Sequence, residues 1–202
     1  MNINKLIMTK KILFTIIIAL IFFSCQHDYT PKPSGYMRID FPKKEYQHYL
    51  NNSPYSFYFP KYAKIVIDKE KNAEPFWINI VFPKLNGKIY ISYKEINNNL
   101  SEYIEDSRKF AYKHTVKADA INENFYSNKE KNVYGILYDI KGNTASNIQF
   151  FLTDSTKHFI RGSLYFNTKP NKDSLAPVIN FIKTDIFKLI ETFQWEDKYK
   201  SN

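Results

Sequence analysis

The sequence predicts an α+β fold: one antiparallel β-sheet of about seven strands with two helices packed on it. Three observations carry that expectation. Seventeen Phe, sixteen Tyr and two Trp in 202 residues favour strands, because aromatic side chains fit a pleated, half-buried surface. Period-two segments recur between short turn signals, the layout of antiparallel hairpins rather than of β-α-β units. Two stretches break that rhythm with three- and four-residue spacing, one between two groups of strands and one at the end, and these place the helices.

The chain opens with a different kind of element. Residues 1–11 carry Lys5, Lys10 and Lys11 and no acid, and residues 12–23 (ILFTIIIALIFF) contain only Thr15 as a polar side chain. As a helix this apolar run spans about 18 Å, against a hydrocarbon core of about 30 Å. It reads as an export signal over 1–24 rather than a permanent span. Ser24 and then Cys25, the one cysteine of the chain, follow directly. Residues 21–25 (IFFSC) resemble the lipobox of bacterial lipoproteins. That resemblance implies cleavage before Cys25, a palmitate-type chain on its thiol and a further chain on the new amino terminus. The physical logic agrees, since one acyl chain binds a bilayer marginally and two or more bind it stably. The alternative is a secreted protein with an incidental cysteine.

Removing the signal leaves 178 residues, enough for one domain with a sizeable core. With a single cysteine no internal disulfide can form, so the core must hold the fold. The net charge of +9 falls to +6 without the three leader lysines, and 26 of the 29 basic residues are lysine. Arginine is the residue suited to bidentate recognition of bases and phosphates, so this dispersed lysine charge argues against nucleic acid as a partner.

Residues 25–52 form a tether and an extended segment. Residues 29–35 (YTPKPSG) hold two prolines and a glycine, and 36–41 alternate Tyr36, Arg38 and Asp40 with Met37, Ile39 and Phe41 before Pro42. The single domain runs over 53–195. Strands are expected at 55–59, 63–68 and 76–82, followed by an Asn86-Gly87 hairpin turn and a returning strand at 88–93. From Asn97 the spacing of Leu100, Tyr103, Ile104, Ser107, Ala111, His114 and Ala118 is that of a helix face, with Asn99 and Glu102 placed as a capping box. Strands return at about 120–126, 133–140, 147–153 and 159–166 as an antiparallel meander. Asp173 or Ser174 is expected to cap a last helix with Pro177 in its first turn. Leu175, Ile179, Ile182, Ile186, Leu189 and Phe193 make its apolar stripe. Residues 196–202 are a polar tail. The order of elements over 53–195, with the aromatic phrase at 55–60 and the closing ETF at 191–193, resembles the PsbP-like fold.

Chemistry-bearing motifs are few. The chain has no GxSxG, HExxH, phosphate-binding glycine loop or paired-cysteine zinc pattern, and no cofactor or metal is expected. His27, His48, His114 and His158 are scattered. Asp154, Ser155 and His158 are triad residue types within one turn, where they read as turn formers; His114 reads as a hydrogen-bonded core residue. In a lysine-rich chain the three arginines are informative: Arg38, Arg108 and Arg161 either mark a site for an anion or partner or form salt bridges within the fold. Exposed aromatics near the tether offer a docking surface, or pack on the domain. The candidate docking residues are Tyr36, Arg38, Asp40, Phe41 and Arg108.

Several longer phrases resemble the gliding-motility lipoprotein GldD family: 31–42 (PKPSGYMRIDFP), 103–108 (YIEDSR), 117–121 (KADAI), 146–158 (SNIQFFLTDSTKH) and 173–179 (DSLAPVI). The resemblance implies a lipoprotein of the Bacteroidota cell envelope, needed for gliding and for the associated type IX secretion machinery. It carries one residue over, Cys25 as the lipidated position. The expectation is a non-enzymatic, periplasm-facing component, on the outer membrane in preference to the inner, whose partners are the membrane and other motility and secretion proteins. The alternative is an envelope enzyme acting on peptidoglycan.

Overall fold

The structure, a computed structural model, describes residues 39–196. In chain order the elements are β1 (Tyr46–Tyr49), β2 (Tyr55–Pro60), β3 (Lys64–Ile67), β4 (Ile78–Phe82), β5 (Gly87–Glu95), α1 (Leu100–Tyr112), β6 (Ala118–Asn128), β7 (Val133–Gly142), β8 (Ile148–Thr153), β9 (His158–Phe166), α2 (Lys172–Thr192) and β10 (Gln194–Trp195). Seven strands form an antiparallel sheet in the order β3-β4-β5-β9-β8-β7-β6, and β1-β2-β10 form a small second sheet. The α+β class with two helices is the one expected. The strand at 55–60 differs: it belongs to the small sheet, not the large one. Its aromatic run reports burial, which is nearly complete, but carries no information on which strands it pairs with.

The main sheet joins two meanders, β3-β4-β5 and β6-β7-β8-β9, through an antiparallel seam between β5 and β9. One face carries Ile80, Phe82, Ile89, Ile91, Phe150, Leu152, Ile160 and Leu164. These pack against Ile179, Ile182, Ile186 and Leu189 of α2, with Tyr55 and Phe57 of β2 and Phe193 beside them. Each large apolar side chain buried this way stabilises by about 1.5–3 kcal/mol. The opposite face carries a second cluster, Tyr138, Ile140, Phe151 and Phe159, covered by Ala111, Leu100, Tyr103 and Ile104 of α1 and its approach. The two helices therefore lie on opposite faces. Over β4, β5 and β9 the α1 face stays half-exposed.

Local chemistry departs from expectation at four places. The β4–β5 hairpin is present, but its turn is a short 3-10 segment at Pro83–Leu85 closed by Asn86 at φ 52°. Gly87 already lies in β5 opposite Phe82. A Cβ on Gly87 would stand 3.1 Å from Phe166 and 3.2 Å from Ile182, so helix packing rather than turn geometry favours glycine there. At α1 the Asn99 side chain does not cap the helix; it accepts from the Asn97 N–H at 2.8 Å. The Glu102 N–H turns to the Asn99 carbonyl instead. The helix also stops at Tyr112, so His114 and Ala118 lie beyond it. The cap of α2 is Asn171, which accepts from the Ser174 N–H at 3.1 Å. This starts the helix earlier and moves Pro177 into its second turn. Residues 39–52, part of the expected tether and extended segment, include β1 paired with β2, and Ile39 packs on the main core.

Candidate functional site

Of the candidate docking residues, Tyr36 and Arg38 lie outside the described residues, as does Cys25. Asp40 is exposed. The Phe41 ring stacks on Phe181 of α2, with centroids 4.3 Å apart, and keeps 36% of its surface exposed. Arg108 lies on the outer side of α1, 3.9 Å from Glu105, with its guanidinium 5.2 Å from the Tyr112 ring. Asp40 and Phe41 come together on the α2 side of the sheet. Arg108 belongs to the other side and is not assembled with them.

The segment that leads into the domain is fastened by a buried carboxylate that sequence reasoning missed. Asp185 of α2 is 2% exposed. Lys44 Nζ stands 2.6 Å from its Oδ1 and also donates to the Phe181 carbonyl at 2.7 Å. The Tyr46 hydroxyl donates to Oδ1 at 3.0 Å, and the Tyr62 hydroxyl donates to Oδ2. The Lys44 ammonium lies 3.6 Å from the Phe181 ring centroid, a favourable cation–π contact. Burial lowers the Lys44 pKa, opposed by the hydrogen bond and charge of Asp185. Burial, then the Asp185 hydrogen bond, pushes Tyr46 up to about 12, and the same causes raise Tyr62 further. A signal was present in the sequence: Asp185 stands between Ile182 and Ile186 on the apolar stripe, where an acid is stable only with partners.

Asp154, Ser155 and His158 do share a turn, but not as a relay. The Asp154 carboxylate accepts from the N–H groups of Thr156, Lys157 and His158 at 2.8–2.9 Å. Burial opposes its charge, yet these bonds outweigh it and hold its pKa below the ordinary value. The His158 ring turns inward, with Nδ1 2.7 Å from the Tyr93 hydroxyl and the ring stacked on Trp195. His114 has its pKa lowered by burial and by the Arg161 charge. Among the described residues no group of three or more His, Cys, Asp or Glu is placed to hold a metal ion.

On the open face a groove of about 950 Å³ runs over β4, β5 and β9, lined among others by Trp77, Lys88, Tyr90, Arg161, Ser163 and Tyr165, with Asp68 and Glu70 also on its lining. Arg161 donates through Nη2 to Gln149 Oε1 at 2.7 Å, and its guanidinium lies 4.3 Å from the Phe110 ring. Among the described residues its Nε has no partner, and neither do Gln149 Nε2, Ser163 Oγ or Asn79 Oδ1. No ion pair to Arg161 occurs among the described residues.

With that geometry in place, the family profile described as gliding motility lipoprotein GldD matches residues 26–195. The chain belongs to the GldD family. Membership makes it a lipid-anchored envelope protein of gliding motility, and among the described residues no helix is long and apolar enough to cross a membrane. No curated protein matches the chain. Among solved structures, the solution structure of cyanobacterial PsbP (CyanoP) from Synechocystis sp. PCC 6803 is similar at 15% identity and a TM-score of 0.47, covering 82% of this chain and 100% of that one.

Proposed function

We propose that this GldD-family chain is a non-enzymatic docking component of the gliding machinery and the associated type IX secretion machinery, held at the membrane through acylated Cys25. The observation that carries the reading is the family match, which spans the whole domain and begins at residue 26, directly after that cysteine. The Lys44–Asp185 cluster supports it. A charged group buried at the point where the leading segment meets the body fastens that segment to α2. Acyl chains on Cys25 confine the domain to a membrane surface, facing the periplasm and on the outer membrane in preference to the inner. Tyr36, Arg38, Asp40, Phe41 and Arg108 then meet its partners.

The test is cell fractionation and spreading assays of single variants. Cys25→Ala moves the protein from the membrane to the soluble fraction and abolishes gliding, while His48→Gln and His114→Gln leave gliding intact. Turnover of purified cell-wall fragments, lost on changing one carboxylate or histidine, would overturn the non-enzymatic reading.

A further inference from the structure

We infer that the open groove over β4, β5 and β9 receives an extended segment of a partner protein, bearing a carboxylate at one position and a cationic side chain about four residues away. This rests on the docking role proposed above and adds the site and the partner's chemistry. Arg161 supplies the first half of the argument. A guanidinium offers five N–H donors in a fixed fork, yet among the described residues Arg161 has one acceptor, Gln149, and no carboxylate. A mostly buried charge without a counter-charge is costly, and a planar fork is the group matched to a carboxylate.

The neighbours of Arg161 share its incompleteness. Asn79, Tyr90, Ser163 and Gln149 stand opposite one another across four adjacent strands, so their side chains share one face with Arg161. Ser163, Gln149 and Asn79 are 3%, 1% and 8% exposed, and each has a polar atom without a partner. Of the four residues with such an atom, Arg161 and Ser163 line the groove, while Gln149 and Asn79 lie buried on the same face of the sheet. Native chains leave few buried polar groups unpaired; Arg161 and Ser163 bring two such groups to the groove itself. Trp77, Tyr90 and Tyr165 line the same groove, with Tyr90 and Tyr165 packed edge to face at 5.7 Å, and Trp, Tyr and Arg are the residue types that dominate binding energy at interfaces.

The far end of the groove selects the occupant. Asp68 bonds the Trp77 carbonyl through its N–H, which places it and Glu70 at the β3 edge, three strand positions from β9. At about 4.8 Å per strand that is about 14 Å from Arg161, or about four residues of extended chain. A polymer of uniform negative charge would bring like charges against Asp68 and Glu70. A peptide carrying an acid and, about four residues on, a base satisfies both ends.

The experiment uses the full lipidated chain in detergent micelles, at physiological ionic strength, and follows Trp77 fluorescence; Trp195 packs with Phe193 on the other face. The probes are capped five-residue peptides with glutamate and lysine at opposite ends, in both orders, a peptide with glutamate at both ends, and tetragalacturonate. One of the mixed-charge peptides saturates the signal, and both Arg161→Lys and Asp68→Asn raise its half-saturating concentration by about tenfold. Asp68→Asn, at the groove rim, keeps the test decisive if the Arg161 variant does not fold. Equal or tighter binding of the glutamate-only peptide or of tetragalacturonate overturns the inference in favour of an anionic-polymer site. Absence of saturable binding by every probe overturns it outright. Photocrosslinkers at Phe41 and at Tyr165 in living cells separate the two failures: capture from Phe41 alone leaves the docking role standing without the groove, and capture from neither removes both.

Discussion

Asp185 and Arg161 are both charged side chains set into the body of the same domain, on opposite faces of one sheet. Asp185 is enclosed by Lys44, Tyr46 and Tyr62, which meet both of its oxygens. Arg161 has Gln149, the Phe110 ring and an open groove. One arrangement is complete within the chain and joins the entering segment to α2. The other is left half-made on a face where Asn79, Gln149 and Ser163 are in the same condition. A satisfied buried charge reports on architecture, whereas an unsatisfied one at the edge of a groove reports on what the surface meets.

Four measurements sharpen or break that contrast. The largest effect belongs to Asp185→Ala, which strands Lys44 against the Phe181 ring. Chemical denaturation should show a loss of about 3 kcal/mol, the lower end for a broken buried pair because Lys44 keeps a path to water. Next comes Gly162→Ala. Gly162 follows Arg161 in β9 but faces α2, where an added Cβ would stand 2.2 Å from the Phe150 ring; a loss of about 1–3 kcal/mol is expected from overpacking.

Asp139 supplies a pH-dependent case. It is 5% exposed and receives Lys183 Nζ at 2.5 Å and Lys141 Nζ at 2.9 Å. Burial works against its charge, but these two hydrogen bonds and the charges behind them hold its pKa below the ordinary 3.8. Its contribution to stability is therefore full above that value and is lost as pH falls through the lower folded one. An acid titration of unfolding should show a shallower loss below pH 3.8 in Asp139→Asn than in the parent.

The smallest effect is expected at Arg161. Arg161→Met keeps a long side chain under Phe110 and removes an under-partnered charge, so stability should change by less than about 1 kcal/mol or rise. A loss comparable to that of Asp185→Ala would make Arg161 an architectural residue and erase the distinction.

Much of the scaffold was legible in the sequence because burial imposes periodicity. The stripe of α2, the β4–β5 hairpin and the β7-β8-β9 meander all followed from apolar spacing and turn residues. What escaped were choices between near-equal local options. Asn99 bonds its neighbour Asn97 rather than the helix start, and Asn171 outcompetes Asp173 and Ser174 as a cap. Strand 55–60 pairs with β1 and β10 because of long-range packing, which no local pattern encodes. The site was less legible still. Arg161 stood out as one of three arginines, but its groove depends on the register of β4, β5, β9 and β8, which brings Asn79, Ser163 and Gln149 into line from distant parts of the chain. Asp185 showed only as an interruption of a stripe.

The seam between β5 and β9 has a temporal consequence. β5 ends at Glu95 and β9 begins at His158, so a chain growing from its amino end completes the first meander while half of its hydrogen-bonding rim has nothing to pair with. That rim must wait for α1 and three further strands before it is closed. An unpaired strand with Ile89, Ile91 and Tyr93 along one side is a template for neighbouring chains, and joining such distant segments is slow. The interval between the two strands is therefore a period of aggregation risk, and variants that delay β9 should lower soluble yield without altering the finished protein.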